Sequence, residues 1–323
     1  MVEIAVKKGN ATAKIINEKK LEKSKNKSQH GSVASYFMIM PQFLGFLLFA
    51  IYPIIWVIRF AWFEFDGVTA HFNGIDNFIR LFTRDADYWL SLANTFILTF
   101  GKLAIELPLA LLLAVVLNSK LKGKAFFRTM FYMPNVIGIA IIGLIFYFMF
   151  ASFDGIVNNI LLQFSIIKTP VNWFENKWTA LVVIAIASIW QNFGINMLFF
   201  LSGLQSISKD LYECAEIDGA SKIKQFFHIT IPMLAPIMQI VTMLAIIGTI
   251  KMTDLVLVLT NGQPAGQSEV VMTYIFKYFF STGEGTQVPQ IGYASSMGLV
   301  TAIVVGLMTI AYLKTTKKMS SID

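Results

Sequence analysis

The sequence predicts an all-α polytopic membrane protein with six transmembrane helices. The chain has 323 residues, of which 56% are apolar and 14% are charged, whereas a soluble domain carries about 25% charged residues. A helix needs about 20 apolar residues to cross the hydrocarbon core of a bilayer. Four stretches without a charge are long enough: 36–58, 129–153, 178–208 and 285–313. Continuous apolar runs favour helices over the alternating strands of a barrel.

Two further apolar stretches contain a few charges and complete the six spans. The stretch 92–118 contains Lys102 and Glu106, and the stretch 232–260 contains Lys251 and Asp254. Charges inside a bilayer are costly unless they are paired or face protein or water. Because side chains three or four residues apart share one face of a helix, we expect Lys102 to pair with Glu106, and Lys251 and Asp254 could pair in the same way.

The six spans divide the chain into a tail, an anchor and a core. Residues 1–32 contain eight Lys, three Glu and no aromatic residue, which predicts a disordered basic tail. The following apolar segment is too long for a signal core and has no small-residue cleavage site, so we expect residues 33–62 to be retained as the first transmembrane helix. The other five helices form a core over residues 90–316.

The distribution of positive charge predicts that both termini are cytoplasmic. With the N-terminus inside, 18 of the 26 Lys and Arg residues lie in cytoplasmic segments and five in outer segments, as the positive-inside rule requires. Basic segments beside an anionic leaflet also explain the net charge of +7 without a nucleic-acid partner. The single cysteine, Cys214, and three histidines in unrelated segments support neither an intrachain disulfide nor a metal site.

The segment between the fourth and fifth spans, residues 206–231, contains the most specific pattern. Ser208 is placed to cap a short helix that ends at Asp218 and Gly219, since glycine adopts the left-handed conformation readily. We expect a second short helix over residues 220–228, with Pro232 in the first turn of the next span. This predicts two short amphipathic helices joined at a bend, which in isolation would be expected to lie on the lipid surface.

The sequence of this segment resembles the EAA loop of membrane subunits of binding-protein-dependent ABC importers. The residues that carry the resemblance are Glu213, Ala215, Asp218, Gly219, Ala220, Phe226, Ile229, Ile231 and Pro232, with Cys214 where the motif has its first alanine. The ATPase-coupling residues that it implies are Glu213, Ala215, Asp218, Gly219, Ala220, Phe226 and Phe227. A second stretch, 253–264, resembles the segment between the last two helices of maltose-type sugar permeases, although Gln263 replaces a glycine.

The resemblance implies a permease that does no chemistry. It implies that the bent loop is a coupling helix that inserts into a separate ATPase, with Glu213 facing a basic residue of that subunit and Gly219 making the bend. The sequence contains no G-x-x-x-x-G-K-[ST] loop, so ATP and Mg would be bound by the partner ATPase and the chain itself needs no cofactor. The implied partners are a second homologous permease, two ATPase copies and an extracellular solute-binding protein, all at a bacterial cell membrane.

The implied substrate is a carbohydrate, in particular an oligosaccharide. Amide side chains and aromatic rings are suited to sugar hydroxyls and to the apolar face of a pyranose. The predicted substrate pathway consists of Trp190, Gln191, Asn192, Asn196 and Asp254. For the amides, hydrogen bonding between helices is the competing interpretation.

Two other functions remain open from the sequence alone. One is a self-sufficient secondary transporter without an ATPase, a class that often has two comparable halves; no convincing internal repeat is visible. The other is a membrane-embedded enzyme or a structural scaffold, and no cluster of catalytic residues favours the enzyme.

Overall fold

The structure is a computed structural model that describes residues 36–119, 121–280 and 288–317. The predicted basic tail, residues 1–32, lies outside the described residues. The chain divides into two units, Met1–Arg59 and Phe60–Asp323. In the described part of the first unit, residues 36–59 form helix α1, which has one π-helical turn at Leu47–Ile51.

The second unit begins with a short turn of 3-10 helix, Phe60–Trp62, and the two-stranded hairpin of β1 (Phe63–Phe65) and β2 (Ala70–Phe72). The hairpin turn is held by Asp66, whose Oδ1 accepts hydrogen bonds from the backbone N–H groups of Val68 and Thr69 at 2.8 and 2.6 Å. These N–H groups stabilise the charged carboxylate and lower the pKa of Asp66.

The remaining elements of the second unit are helices. The long ones are α3 (Ala86–Asn118), α7 (Lys177–Ser206), α9 (Lys222–Ile250) and α12 (Ile291–Lys317). The shorter ones are α2 (Asp76–Thr83), α4 (Lys124–Val136), α5 (Ile139–Met149), α6 (Ile156–Gln163), α8 (Lys209–Ile217), α10 (Asp254–Leu259) and α11 (Val271–Phe280).

By length and composition, five described helices can cross a membrane, or six if the bent pair α4 and α5 is one span. The all-α polytopic prediction is confirmed, with one small hairpin added. The third span is not the single straight helix that the run 129–153 predicted. Its two halves meet at 94°, where Pro134 lies in the last turn of α4 and Gly138 precedes α5, and proline cannot supply the hydrogen bond that would continue a regular helix.

The fifth span also differs from the prediction of one helix over 232–260. Helix α9 ends at Ile250 and α10 begins at Asp254, so residues 251–253 leave the helix. Polar side chains replace the apolar series at this point, and non-helical backbone inside a membrane is tolerated where it lines a cavity.

The centre of the second unit is the packing of α3, α4 and α7. A Cβ atom added to Gly194 on α7 would lie 2.0 Å from the backbone oxygen of Phe131 on α4, so only glycine permits this approach. One core cluster joins Ala110, Phe200 and Leu234 from α3, α7 and α9, and half-buried Tyr212 of α8 packs against it.

Candidate functional site

The break in the fifth span opens onto a cavity of about 380 Å³. It is lined by residues of α3, α4, α5, α7 and α9 and by the non-helical segment before α10. The polar and charged lining residues are Lys102, Glu106, Asn135, Ser188, Gln191, Asn192, Asn196, Lys251, Thr253 and Asp254. A cavity of this size with several convergent polar groups has the form of a small-molecule site.

Four of the five predicted pathway residues line this cavity. Gln191 and Asn196 are buried, Asn192 is half-buried and Asp254 is exposed. Asn192 Nδ2 donates to the backbone oxygen of Ser188, one turn earlier, at 2.8 Å.

Trp190 does not line the cavity among the described residues. Its ring lies 5.7 Å from that of Phe146, centroid to centroid, and packs against a core cluster that contains Ile142 and Leu181. The aromatic surface predicted to stack on a sugar ring is therefore used for packing between α5 and α7.

A buried polar cluster forms one wall of the cavity. Lys102 Nζ lies 3.2 Å from Glu106 Oε2, and both side chains are almost fully buried. Asn196 Nδ2 donates to Glu106 Oε1 at 2.5 Å, and Lys102 Nζ donates to Thr249 Oγ1 at 3.1 Å. The predicted Lys102–Glu106 pair is present, and it also joins α3 to α7 and α9.

Sequence reasoning placed Lys102 and Glu106 outside the substrate pathway, but both line the cavity. The sequence contained a signal for this position, because two charges four residues apart in an otherwise apolar span are expected to face protein or water.

The second pair that helical spacing allows does not form. Among the described residues, no ion pair within 4.0 Å joins Lys251 to Asp254; both side chains are exposed and both line the cavity. The expectation required a continuous helix, and the break after Ile250 removes the shared helical face. The cavity therefore presents one ammonium and one carboxylate that do not neutralise each other directly.

The predicted coupling loop contains one short helix and a tight bend. Ser208 Oγ accepts a hydrogen bond from the backbone N–H of Asp210 at 3.3 Å and begins α8. At the other end the Gly219 N–H donates to the Glu216 oxygen at 3.0 Å, and the Ala220 N–H donates to the Ala215 oxygen at 2.8 Å. This is the Schellman arrangement, and Gly219 has the left-handed φ of +72° that it requires.

The expected second short helix is not separate. From Lys222 the chain forms one helix as far as Ile250, with a π-helical turn at Phe226–Thr230. Pro232 lies inside this helix rather than at its start. The Ile231 N–H donates to the Phe226 oxygen, five residues earlier, so the wider turn accommodates the chain where proline removes a donor.

Large apolar side chains project from this loop. Ile217, Ile223, Phe227 and Leu211 are 86, 73, 60 and 42% exposed. Glu213 and Phe227 are exposed, whereas Ala215, Ala220 and Phe226 are half-buried. Sequence reasoning missed Ile217 and Ile223, because their exposure depends on the orientation of α8 and not on the motif. We refer to Leu211, Ile217, Ile223 and Phe227 as the exposed apolar patch.

A larger cavity of about 930 Å³ lies beside the hairpin and is lined by α2 and the start of α12. Its walls carry charges of both signs, including Glu64, Asp76, Arg80 and Arg84. The Arg80 guanidinium is already engaged, since it donates to Gln290 Oε1 at 2.7 Å. The smaller cavity is instead lined by polar side chains of the apolar spans.

Two tyrosine hydroxyls bind the carboxylate of Asp85, the residue before α3. Asp85 accepts hydrogen bonds from the hydroxyls of Tyr274 and Tyr293 at 2.8 and 2.5 Å. Burial, the neighbouring Tyr278 and the Asp85 carboxylate raise the pKa of Tyr274, so its hydroxyl remains a donor. The contact connects the start of α3 to α11 and α12.

A third buried contact secures the chain that follows α10. Asn94 Nδ2 donates to the backbone oxygens of Gln267 and Glu269 at 2.7 and 2.8 Å. The Glu269 carboxylate pairs with Lys277. The segment that follows the stretch 253–264 is thereby fixed to α3 and α11.

Comparison with known proteins agrees with this architecture. A probable ABC transporter permease protein of Bacillus subtilis (strain 168), YesP, is 34% identical over 287 residues, covering 88% of this chain and 90% of that protein. The arabinooligosaccharides transport system permease protein AraP of the same organism is 33% identical over 284 residues, covering 87% of this chain and 88% of AraP.

A solved structure has the same fold. A chain of a bacterial ABC transporter involved in the import of the acidic polysaccharide alginate has a TM-score of 0.77 at 22% identity, and the match covers 91% of this chain and 99% of that chain. Residues 106–317 match the family described as binding-protein-dependent transport system inner membrane component. The prediction of a membrane-located transporter component, rather than an enzyme, is confirmed. The chain belongs to the family of inner-membrane permease components of binding-protein-dependent ABC transport systems.

Proposed function

We propose that the chain is the transmembrane subunit of an ATP-driven importer of carbohydrates, in particular oligosaccharides. In this proposal it forms half of the translocation pathway and couples to a separate ATPase through residues 206–231. The observation that carries the coupling role is the exposed apolar patch on α8 and the start of α9. The relative AraP, whose match covers 87% of this chain, is an arabinooligosaccharides transport system permease protein.

The exposed patch has the composition of a protein-docking surface. Three of its side chains are more than half exposed, and burying a side chain of the size of Ile or Phe contributes about 1.5–3 kcal/mol. Glu213 adds an exposed carboxylate on the same short helix. A cleft of the ATPase with an apolar floor and a basic rim would complement this surface.

The cavity has the chemistry of a site for a polyhydroxylated ligand. Asn192 and Gln191 both donate and accept, and Asp254 accepts from hydroxyl groups. Each neutral hydrogen bond contributes about 0.5–1.5 kcal/mol net, which suits a transport site that must release its ligand. Lys251 adds a positive charge that would favour sugars carrying a carboxylate.

The full assembly follows from the same proposal. A second homologous permease would complete the pathway, two copies of the ATPase would bind ATP and Mg, and an extracellular solute-binding protein would deliver the sugar. In this arrangement both termini and the 206–231 loop lie in the cytoplasm, as the excess of Lys and Arg predicts.

The coupling role is tested by placing a charge in the exposed patch. Ile223→Glu should abolish copurification of the ATPase in mild detergent, because a charge would be buried at the contact. The matched control is Val68→Glu, since Val68 in the hairpin turn is 90% exposed. Retention of the ATPase by Ile223→Glu at the level of the control would refute docking through this surface.

The substrate role is tested by uptake in reconstituted vesicles. Asn192→Ala and Asp254→Asn should each weaken uptake of neutral oligosaccharides, whereas Lys251→Gln should weaken only that of acidic ones. Asn196→Ala is less specific, because Asn196 also binds Glu106. Normal uptake of neutral and acidic sugars by all these variants would show that the pathway lies elsewhere.

A further inference from the structure

Tyr212 links the short helix α8 to the fifth span. Its ring packs against the core cluster of α3, α7 and α9, and its hydroxyl forms a 2.9 Å hydrogen bond with Thr230 Oγ1. Thr230 is only 5% exposed. The Thr230 side of the contact is therefore shielded from water, and a directional hydrogen bond is electrostatically stronger there than in water.

Thr230 occupies a special position in α9. It is the last residue of the π-helical turn Phe226–Thr230, and the α-helix that follows runs unbroken from Ile231 to Ile250. A π turn interrupts the regular hydrogen-bond ladder and is often found at functional sites. The Tyr212 hydroxyl is therefore hydrogen-bonded to the end of the π turn from which the membrane part of α9 continues.

Among the described residues, the other side-chain hydrogen bonds and ion pairs that join α9 to α8 or to the bend after it are made before the π turn. Gln225 Nε2 donates to the Ala220 oxygen at 3.1 Å, and Lys222 pairs with Glu216 on the surface, where an exposed pair contributes little. Among the described side chains, Tyr212 makes the one hydrogen bond that joins α8 to residues beyond Phe226.

The far end of the same helix reaches the cavity. Thr249 Oγ1, near the end of α9, accepts the hydrogen bond from Lys102 at 3.1 Å. At 1.5 Å per residue, the distance along the helix from Thr230 to Thr249 is about 28 Å. One helix thus joins the Tyr212 contact to the buried charge pair in the cavity wall.

We propose that Tyr212 is a positioning residue, whose hydrogen bond to Thr230 transmits movement of α8 to the membrane part of α9 and so to Lys102 and Glu106 at the cavity. The inference rests on the proposed coupling of α8 to an ATPase. Without the hydroxyl the ring still packs, but α8 moves against the π turn without shifting the helix beyond it.

The test uses the reconstituted importer and a pair of substitutions that remove only the hydrogen bond. Tyr212→Phe keeps the ring, and Thr230→Val keeps the shape of the side chain. Each should lower the amount of sugar transported per ATP hydrolysed about two- to tenfold, the range expected for one net hydrogen bond. Retention of the ATPase should remain that of the unsubstituted protein, and the thermal midpoint should fall by no more than about 2–4 °C, the shift expected for the loss of about 1 kcal/mol. The double variant should lose no more than either single variant.

Two controls match these changes at positions away from the link. Tyr147→Phe alters a half-exposed tyrosine that stacks on Phe174, and Thr309→Val alters a threonine that bonds only to its own helix at Val305. Both should transport with the normal sugar-to-ATP ratio.

Three results would overturn the inference. A normal ratio in Tyr212→Phe would show that the hydroxyl transmits nothing, and losses that add in the double variant would show that the two residues act independently. Loss of ATPase retention in Tyr212→Phe would assign the residue to docking. If the unsubstituted chain itself fails to retain an ATPase, the proposed function fails first, so the two failures are distinguishable.

Discussion

Replacing Lys102 by Met should destabilise the protein by about 3–5 kcal/mol, the usual cost of leaving a buried charge without its partner. The structure supports this magnitude. At the 3.2 Å separation of Lys102 Nζ and Glu106 Oε2, the Coulomb energy is about 5 kcal/mol for an effective dielectric constant of 20. Among the described residues, Glu106 Oε2 has no hydrogen-bond partner, so the ammonium is the group that stabilises that oxygen. The other carboxylate oxygen, Glu106 Oε1, accepts a hydrogen bond from Asn196 Nδ2.

The matched control separates charge from shape. In the double variant Lys102→Met with Glu106→Gln, the carboxylate becomes a neutral amide whose oxygen still accepts from Asn196, so most of the lost stability should return. The measurement is unfolding by SDS in detergent micelles, followed by circular dichroism. A double variant that is no more stable than Lys102→Met would refute the argument, because the loss would then come from packing of the lysine side chain.

Two further predictions concern close packing and pH. Gly194→Ala should destabilise the protein by about 1–3 kcal/mol, because the new Cβ meets the Phe131 backbone. The thermal midpoint should not fall in Gly248→Ala, where an added Cβ meets no atom outside the local helix backbone within 4 Å. The hairpin should open in acid, since Asp66 has a lowered pKa in the folded state and its contribution, complete above the ordinary value, is lost as pH falls through the lowered one. The protection of the Thr69 amide, measured as its hydrogen-exchange rate relative to the intrinsic rate at the same pH, should therefore be lower at pH 2 than at pH 6.

The number of spans followed from the sequence because it depends on local composition alone. Runs without charge gave the apolar segments, and the Lys102–Glu106 pair followed from helical spacing. The bend between α4 and α5 did not follow, since Pro134 and Gly138 are tolerated within membrane helices as well as between them. The break after Ile250 was missed for a similar reason: three polar residues in an apolar run are compatible with a kinked helix.

The site could be predicted only as far as residue type. Asn192, Asn196 and Asp254 were selected for their hydrogen-bonding groups, and the structure brings them to one cavity. Trp190 was selected by the same reasoning, but its position on α7 turns the ring towards Phe146. The exposure of Ile217 and Ile223 depends on the angle of α8, which arises from the Schellman bend and the Tyr212 contact and is not encoded in a short motif.

The π turn at Phe226–Thr230 sets the rotational phase of the fifth span. Each residue of an α-helix advances the side-chain direction by about 100°, so removing one residue from the turn would restore a regular helix and rotate everything beyond it by that angle. Thr249 would then face away from Lys102, although no residue at the cavity had changed. The number of residues between Ala220 and Thr249 is therefore constrained by the direction in which the Thr249 side chain points as well as by the distance that the helix must span.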